Sequence, residues 1–401
     1  MKRPSVIKGA VLFSTNANAV PSFARQTGLP CQACHTVFPE LTAFGRSFKL
    51  NGYTLTGLRQ IESTGAAAGG GGGVKINEIP PLSAMLQVGF TNVANDAALG
   101  TNVQNNNVEF PQQLSFFFAG EISPRMGTFM QFTYSQPSDH FTWDNTDVRY
   151  ANHTTLFGGD TIYGVTLNNN PTVQDVWNTV PAWGFPFASS DTAGTPAYSA
   201  LLDGGLAQDV VGLGAYTLVN GHLYIEADAY RSAHLGVPGG TAGGAGTIQN
   251  VAPYWRLAWQ QNFGANYLEV GTLGMYARLT PSTYINGLSD KYTDVGVDAQ
   301  YERPVNGNDM VSAHMLYLYE NVNGYSGTVG SGLVNGESAQ GRTLRLDSTY
   351  HLGHWATGTV AYFQKTGNSA LITGDSRGYI LQASYLPWEN TKFTAQYTGY
   401  T

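Results

Sequence analysis

The sequence predicts an all-β fold: an antiparallel transmembrane β-barrel of the sixteen-strand type, preceded by a short α-helical segment that acts as a plug. Three observations lead there. The first is composition. Of 401 residues, 49 are Gly, 12% are aromatic and only 12% are charged. No apolar run reaches the length of about 18 residues that a transmembrane helix needs. Barrels instead spread their apolar residues along alternate strand positions. The second is that alternation. Val295, Val297, Ala299 and Tyr301 interleave with Asp294, Gly296, Asp298, Gln300 and Glu302, and Trp255, Leu257 and Trp259 interleave with Tyr254, Arg256, Ala258 and Gln260. A period of two with charge on one face and large apolar groups on the other fits a wet lumen and a lipid exterior; a soluble β-sandwich would bury the apolar face. The third is connection length. Tight links at residues 123–125, 220–222, 262–266, 304–309, 352–354 and 387–391 alternate with longer polar stretches at 93–107, 136–145, 168–200, 233–252, 281–290, 322–341 and 366–376. Outer-membrane barrels alternate short periplasmic turns with long external loops in this way. Net charge is −7, which leaves no basic footprint for nucleic acid.

From the N-terminus, Lys2, Arg3 and Lys8, the apolar stretch 9–13 and Ala17-Asn18-Ala19 read as a secretory signal with an A-x-A cleavage site, so residues 1–19 are set apart from the fold. The alternative is a disordered N-terminus. The two cysteines of the chain both lie in Cys31-Gln32-Ala33-Cys34-His35. C-x-x-C-H is the attachment signature of c-type haem: two thiols add to the two vinyl groups, and the adjacent imidazole binds iron. A redox C-x-x-C calls for a thioredoxin-like βαβ context, and the following forty residues carry no such pattern. A zinc site needs about four ligands, whereas residues 20–80 offer no further Cys or His. A structural disulfide has no use for the His. The expected cofactor is one covalent haem c on Cys31 and Cys34, with His35 as iron ligand. Secretion supports it, because c-type maturation takes place outside the cytoplasm.

Residues 39–49 read as a short amphipathic helix, with Leu41, Phe44 and Phe48 at i, i+3 and i+7 and Pro39 in the first turn. That face and Phe38 either cover a haem edge or seat the segment against the barrel wall. The sixth iron ligand stays open: Met85, Met126, Met130, Met275 and Met315 are candidate thioethers, and His140, His153, His222, His234, His314, His351 and His354 candidate imidazoles. His351 and His354 flank a tight link and read as a structural turn.

The chain thus divides into a signal peptide at 1–19, a monohaem cytochrome c segment at 20–60, a Gly-rich linker at 61–80 and a porin-like barrel at 81–401. The Gly/Ala tract at 65–73 is too flexible for a packed element. Beyond it, fifteen strands are counted, near 83–92, 108–122, 126–135, 146–156, 160–167, 206–219, 222–232, 253–263, 266–280, 291–303, 309–321, 342–352, 354–365, 376–386 and 390–400. Single-chain bacterial barrels have even counts, so the expectation is that a sixteenth strand is missing after Thr401 or that one segment was split or missed.

Phe23-Ala24-Arg25-Gln26-Thr27-Gly28, the C-x-x-C-H motif, Pro39, Phe44-Gly45-Arg46 and Gly52-Tyr53 resemble the fused monohaem cytochrome–porins of iron-oxidising bacteria. The similarity is specific over residues 21–55, and the barrel is similar in length and organisation. The resemblance implies oxidation of extracellular Fe(II) at the outer membrane, with electrons passed through the haem held by Cys31, Cys34 and His35 to a periplasmic c-type cytochrome. Two other functions are weighed beside it: outward electron transfer to external acceptors, and a diffusion porin whose haem is a sensor or relic.

By strand parity, Glu226, Asp228, Glu269, Asp294, Asp298, Glu302, Glu320 and Asp347 face the lumen together with Arg256, Arg345 and Lys392. Such acids can draw Fe(II) by their field; the blander expectation is a set of solvated lumen residues, many paired with the bases. The connection 168–200, with Asp175, Trp177, Trp183, Phe185 and Asp191, either folds over the entrance or is a surface loop, the default. Residues 31–53 are expected inside the barrel.

Overall fold

Alternating sequences form extended ladders only if each strand finds neighbours for its backbone groups, and here they do. The computed structural model describes residues 21–55, 81–94, 104–135, 139–183, 188, 190, 192, 193, 199–233, 247–280, 289–324, 338–368 and 375–401. The expected signal peptide and Gly-rich linker lie outside them. Three short helices come first: α1 (Pro21–Thr27), α2 (Cys31–Cys34) and α3 (Ala43–Leu50). The strands are β1 (Leu82–Thr91), β2 (Asn107–Ser123), β3 (Met126–Ser135), β4 (His140–Leu156), β5 (Gly159–Asn168), β6 (Val210–Val219), β7 (Leu223–Ser232), β8 (Thr247–Ile248), β9 (Ala252–Phe263), β10 (Asn266–Thr280), β11 (Asp290–Pro304), β12 (Met310–Asn323), β13 (Ser338–Leu352), β14 (Ala356–Asn368), β15 (Ser376–Trp388) and β16 (Thr391–Tyr400).

All belong to one sheet. Fifteen strands pair antiparallel with their sequence neighbours, while β8 caps the end of β10. The fifteen long strands are the fifteen expected. The sixteenth member is β8, two residues inside the predicted 233–252 loop, too short to announce itself by alternation. Every tight link lies at one end of the sheet and every long connection at the other, as the spacing predicted.

The register sorts side chains cleanly. Across β10, β11 and β12, Gly271 faces Asp298, Met275 faces Asp294 and Asp294 faces Glu320, all on the inner face. The opposite face carries Trp255, Leu257, Trp259, Val295, Val297, Val360 and Leu381, all exposed. Phe157, Phe263, Trp355 and Trp388 crowd the end with the short turns; Phe90, Phe110, Phe141 and Trp143 stand exposed toward the other. An apolar belt between aromatic girdles is the outside of a membrane barrel; left in water, so large a patch would drive association.

The sheet curls around the N-terminal helices. Arg25 donates to Leu82 O in β1 at 2.6 Å, and Lys392 of β16 donates to Phe38 O at 3.3 Å, so the same segment touches both ends of the strand order. Among the described residues no ladder joins β16 to β1. Polar contacts from an inner segment span the two edges instead: Ser190 Oγ bonds Thr91 at 2.6 Å, and Gln396 of β16 donates to Ala188 O at 3.2 Å.

The connection after β5 corrects the surface-loop expectation. Its apolar residues Val173, Val176, Trp177, Val180, Leu201, Leu202 and Leu206 are all buried, and it folds into the bore. Phe185 and Asp191 lie outside the described residues. The inward course follows from what the wall offers. Glu320 accepts from Leu201 N and Asp294 from Leu202 N, each at 2.9 Å, while Gln174 donates to Asp228 at 3.0 Å and Arg345 bonds Asp203 at 2.7 Å. The lumen acids therefore face inward as parity predicted, but they are buried and, Glu226 apart, paired with other groups of the chain rather than solvated.

Arg256 is the hub of this packing. It is 1% exposed and reaches Asp298 at 2.6 Å, Asp175 at 3.3 Å and Glu269 at 3.5 Å, with its guanidinium 4.9 Å from the Trp177 ring centre. Removing one member of a buried charged set strands the others, at about 3–5 kcal/mol. Arg256→Ala is accordingly expected to lower the unfolding free energy of the detergent-extracted protein by that much, read as a lower denaturant midpoint; an unchanged midpoint would show that water reaches these acids.

Candidate functional site

The C-x-x-C-H residues form one helical turn, α2, with Cys31 as its first residue, Cys34 as its last and His35 just after it as C-cap. Thr42 fastens this turn to α3. Its hydroxyl donates to Ala33 O at 2.6 Å and accepts from Gly45 N at 3.1 Å, while its backbone N–H donates to Cys34 O at 2.9 Å. The side-chain cap explains why the helix starts at Ala43 rather than at Pro39 as expected. Close approach of α2 and α3 requires Gly45: a Cβ there would stand 2.1 Å from Cys34 O. Gly45→Ala is expected to cost about 1–3 kcal/mol by overpacking, read as a lower melting temperature of the purified protein; a neutral Ala would mean that the two helices separate easily.

Helix α3 presents two faces. Phe48 is buried with Tyr53, Phe117 and Phe129, with Phe23 stacked 5.6 Å from Tyr53. Phe44 remains 40% exposed on the other side. The aromatic face thus divides: Phe48 seats the segment on the wall, and Phe44 is left uncovered. Charged groups lock the rest. Arg46 pairs with Glu302, its guanidinium 4.3 Å from the Tyr267 ring centre, and Tyr53 donates to Asp147 at 2.6 Å. Lys49 donates to Val173 O and, at 2.9 Å, to Asp175 O, so the plug meets the inward loop directly.

Neither cysteine is in a disulfide, and both are half-buried. Burial pushes the Cys31 thiol up to about 11, with Glu389 adding to it, and burial alone does the same for Cys34. His35 Nδ1 lies 3.1 Å from Glu40 O. This fixes the ring and leaves Nε2 for a metal, the usual orientation of a ligating imidazole. Withdrawal from water lowers the imidazole to about 4, so it is neutral, the form that binds metal. Two thiols one turn apart, an oriented imidazole and an uncovered Phe44 fit a covalently attached haem. The motif sits at the short-turn end of the sheet, where Cys31 Sγ is 3.9 Å from Asn390 Oδ1 in the β15–β16 turn.

Of the candidate sixth ligands, Met275 is buried among aliphatic side chains, Met85 packs on the Phe48 cluster and Met315 faces outward. His140, His222 and His354 are exposed, His153 is held by Asp160 and Asn51 at 3.0 and 2.7 Å, and His234 lies outside the described residues. His314 and His351 are brought to the plug: His314 Nδ1 is 2.8 Å from Asp347 and 3.9 Å from Glu40, and His351 Nε2 is 3.8 Å from Glu40. His351 therefore turns inward, away from the exposed His354 of its turn. Glu40 and Lys49 were not singled out in the sequence, and Arg46 entered only as part of the family resemblance, not for its charge. The scarcity of basic residues was the available signal: in a chain with 20 Lys and Arg, two on one eight-residue helix call for partners.

No family model and no curated protein matches the chain. Solved structures do. The chain is similar to OmpF of Salmonella typhi in complex with daunomycin, with a TM-score of 0.42 and 14% identity over 79% of this chain and 88% of that one. It is also similar to a loop-deletion mutant of OmpT, an outer-membrane protein of Vibrio cholerae, with a TM-score of 0.35 and 12% identity over 75% and 94%. The in-vitro folded form of OmpT matches with a TM-score of 0.32 and 11% identity over 79% and 95%.

Proposed function

We propose that the chain is an outer-membrane electron carrier: a porin-like barrel that holds one c-type haem on Cys31, Cys34 and His35, takes electrons from extracellular Fe(II) and delivers them to a periplasmic c-type cytochrome. The observation that carries this reading is a C-x-x-C-H turn clamped inside a sheet whose outer face is an apolar belt. When bound, the iron porphyrin supplies a one-electron couple. The chain's own residues supply the rest. Thr42 and Gly45 hold the attachment turn on α3; Glu40 O orients the imidazole; Arg46, Tyr53 and Lys49 fix the plug against wall and inward loop.

The filled bore argues against free diffusion, because the plug and the inward loop meet along the axis. Short turns face the periplasm in such barrels, which would put the motif on the side where a soluble acceptor waits. The test is anoxic addition of Fe²⁺ to purified protein while the visible spectrum is followed. Reduction of the bound chromophore is expected; a spectrum that stays oxidised at saturating Fe²⁺ defeats the proposal.

A further inference from the structure

We propose that Glu40, His314 and Asp347, with His351 beside them, form a binding site for one divalent first-row transition ion where the plug meets the barrel wall. The ligand atoms of the first three all lie within 4.8 Å of one another. A buried His314–Asp347 pair accounts for one hydrogen bond, at 2.8 Å. It does not account for Glu40, which is 6% exposed and turns a second carboxylate toward the same imidazole nitrogen. Thr36 donates to Glu40 Oε2 at 3.1 Å, but Oε1 has no hydrogen-bond partner. His351, 2% exposed, bonds Ser312 through Nε2 at 2.9 Å and leaves Nδ1 unpartnered. Buried groups without partners are costly, and Glu40 borders a cavity together with His314 and Asp347.

That cavity has a volume of about 20 Å³ and is lined by Glu40, His314 and Asp347, by Arg345, and by Asn178 and Thr179 of the inward loop. It is room for one water or one ion. The Arg345 charge is directed to Asp203 at 2.7 Å. One proton cannot bridge an imidazole and two carboxylates at once; a cation in its place can. Imidazole with carboxylates suits Fe(II), Mn(II), Co(II) or Zn(II) better than Cu(I) or Ca(II). Glu40 would then serve twice, binding the ion through its side chain and orienting His35 through its carbonyl. That the resident ion is substrate Fe(II) rests on the electron-transfer reading above; retention of an ion does not.

The test is equilibrium dialysis of the full, detergent-extracted chain against Mn²⁺, with metal counted per chain and the Mn²⁺ electron paramagnetic resonance spectrum recorded. One ion per chain is expected, with nitrogen coupling from histidine. Glu40→Gln and Asp347→Asn should each weaken retention tenfold or more, while exposed His354→Gln leaves it unchanged. Wild-type protein that binds no Mn²⁺ above the blank, or binds it without nitrogen coupling, overturns the site, even if the variants fail to fold. So does full retention in folded Glu40→Gln and Asp347→Asn. A haemochrome assay on the same sample keeps the two claims apart. Ion without haem removes the electron-transfer reading alone, and haem without ion removes this site alone.

Discussion

Replacing both Cys31 and Cys34 with Ser is expected to abolish covalent haem while leaving the barrel folded. The denatured variant should show no haem staining and no pyridine haemochrome, yet keep the heat-dependent gel shift of an intact barrel. The prediction separates two sets of interactions. Attachment depends on the two sulfurs of α2, which are half-buried and not joined in a disulfide. Docking of the plug depends on Phe48, Arg46 and Tyr53, which bind strands β2, β3, β4 and β11 without touching those sulfurs. His35→Gly should behave differently. The thiols can still attach the porphyrin, so denatured protein should retain its stain, but the native Soret band should shift because the axial imidazole is gone. Wild-type protein without a covalently bound chromophore would end the cytochrome reading and leave a plugged barrel.

Much of this arrangement was legible along the chain, and what was not has a physical reason. Strand alternation is local: Asp294, Asp298 and Glu302 share a face because the side-chain period is two, and the structure puts all three inward. The C-x-x-C-H turn is equally local. Partner choice is not. Arg46 meets Glu302 across 256 residues and Arg345 meets Asp203 across 142, and no window of sequence contains such pairs. β4 begins at His140 rather than near 146, where the polar stretch 136–145 read as a long connection. In the structure Asp144 accepts from Thr133 at 2.7 Å and Asn145 from Gln208 at 3.0 Å, so polar side chains extend the strand inward. The 168–200 connection was recognised as irregular but misplaced. Val173, Val176, Trp177 and Val180 stand at i, i+3, i+4 and i+7, the spacing of a helix, yet the segment forms turns and bends, and wall acids that accept from it, Asp228 from Gln174 and Asp298 from Thr179, explain why it enters the bore.

That inward segment leads to the second large effect. Intact protein in a planar bilayer is expected to pass no steady ionic current of the kind an open porin carries. Lys49 joins the plug to Val173 and Asp175, Trp177 donates to Tyr267 at 2.7 Å, and Thr179 bonds Asp298, so the middle of the bore is occupied from both ends. Excising residues 172–182 and joining the ends with a short Gly-Ser link should open it. Asp228, Asp298 and Glu269 would lose Gln174, Thr179 and Asp175 as neighbours and hydrate, leaving a lining in which Asp147, Glu226, Asp228, Glu269, Asp298 and Glu302 outnumber Arg46, Lys49, Arg149 and Arg256. The resulting channel should favour cations, because a low-dielectric wall carrying one sign of charge concentrates the opposite ion. An intact protein that already conducts freely would contradict the filled lumen, and an excised one that stays closed would assign the seal to the helical plug alone. Selectivity separates the causes further: added salt should weaken a preference set by wall charge, whereas a preference set by pore width would persist.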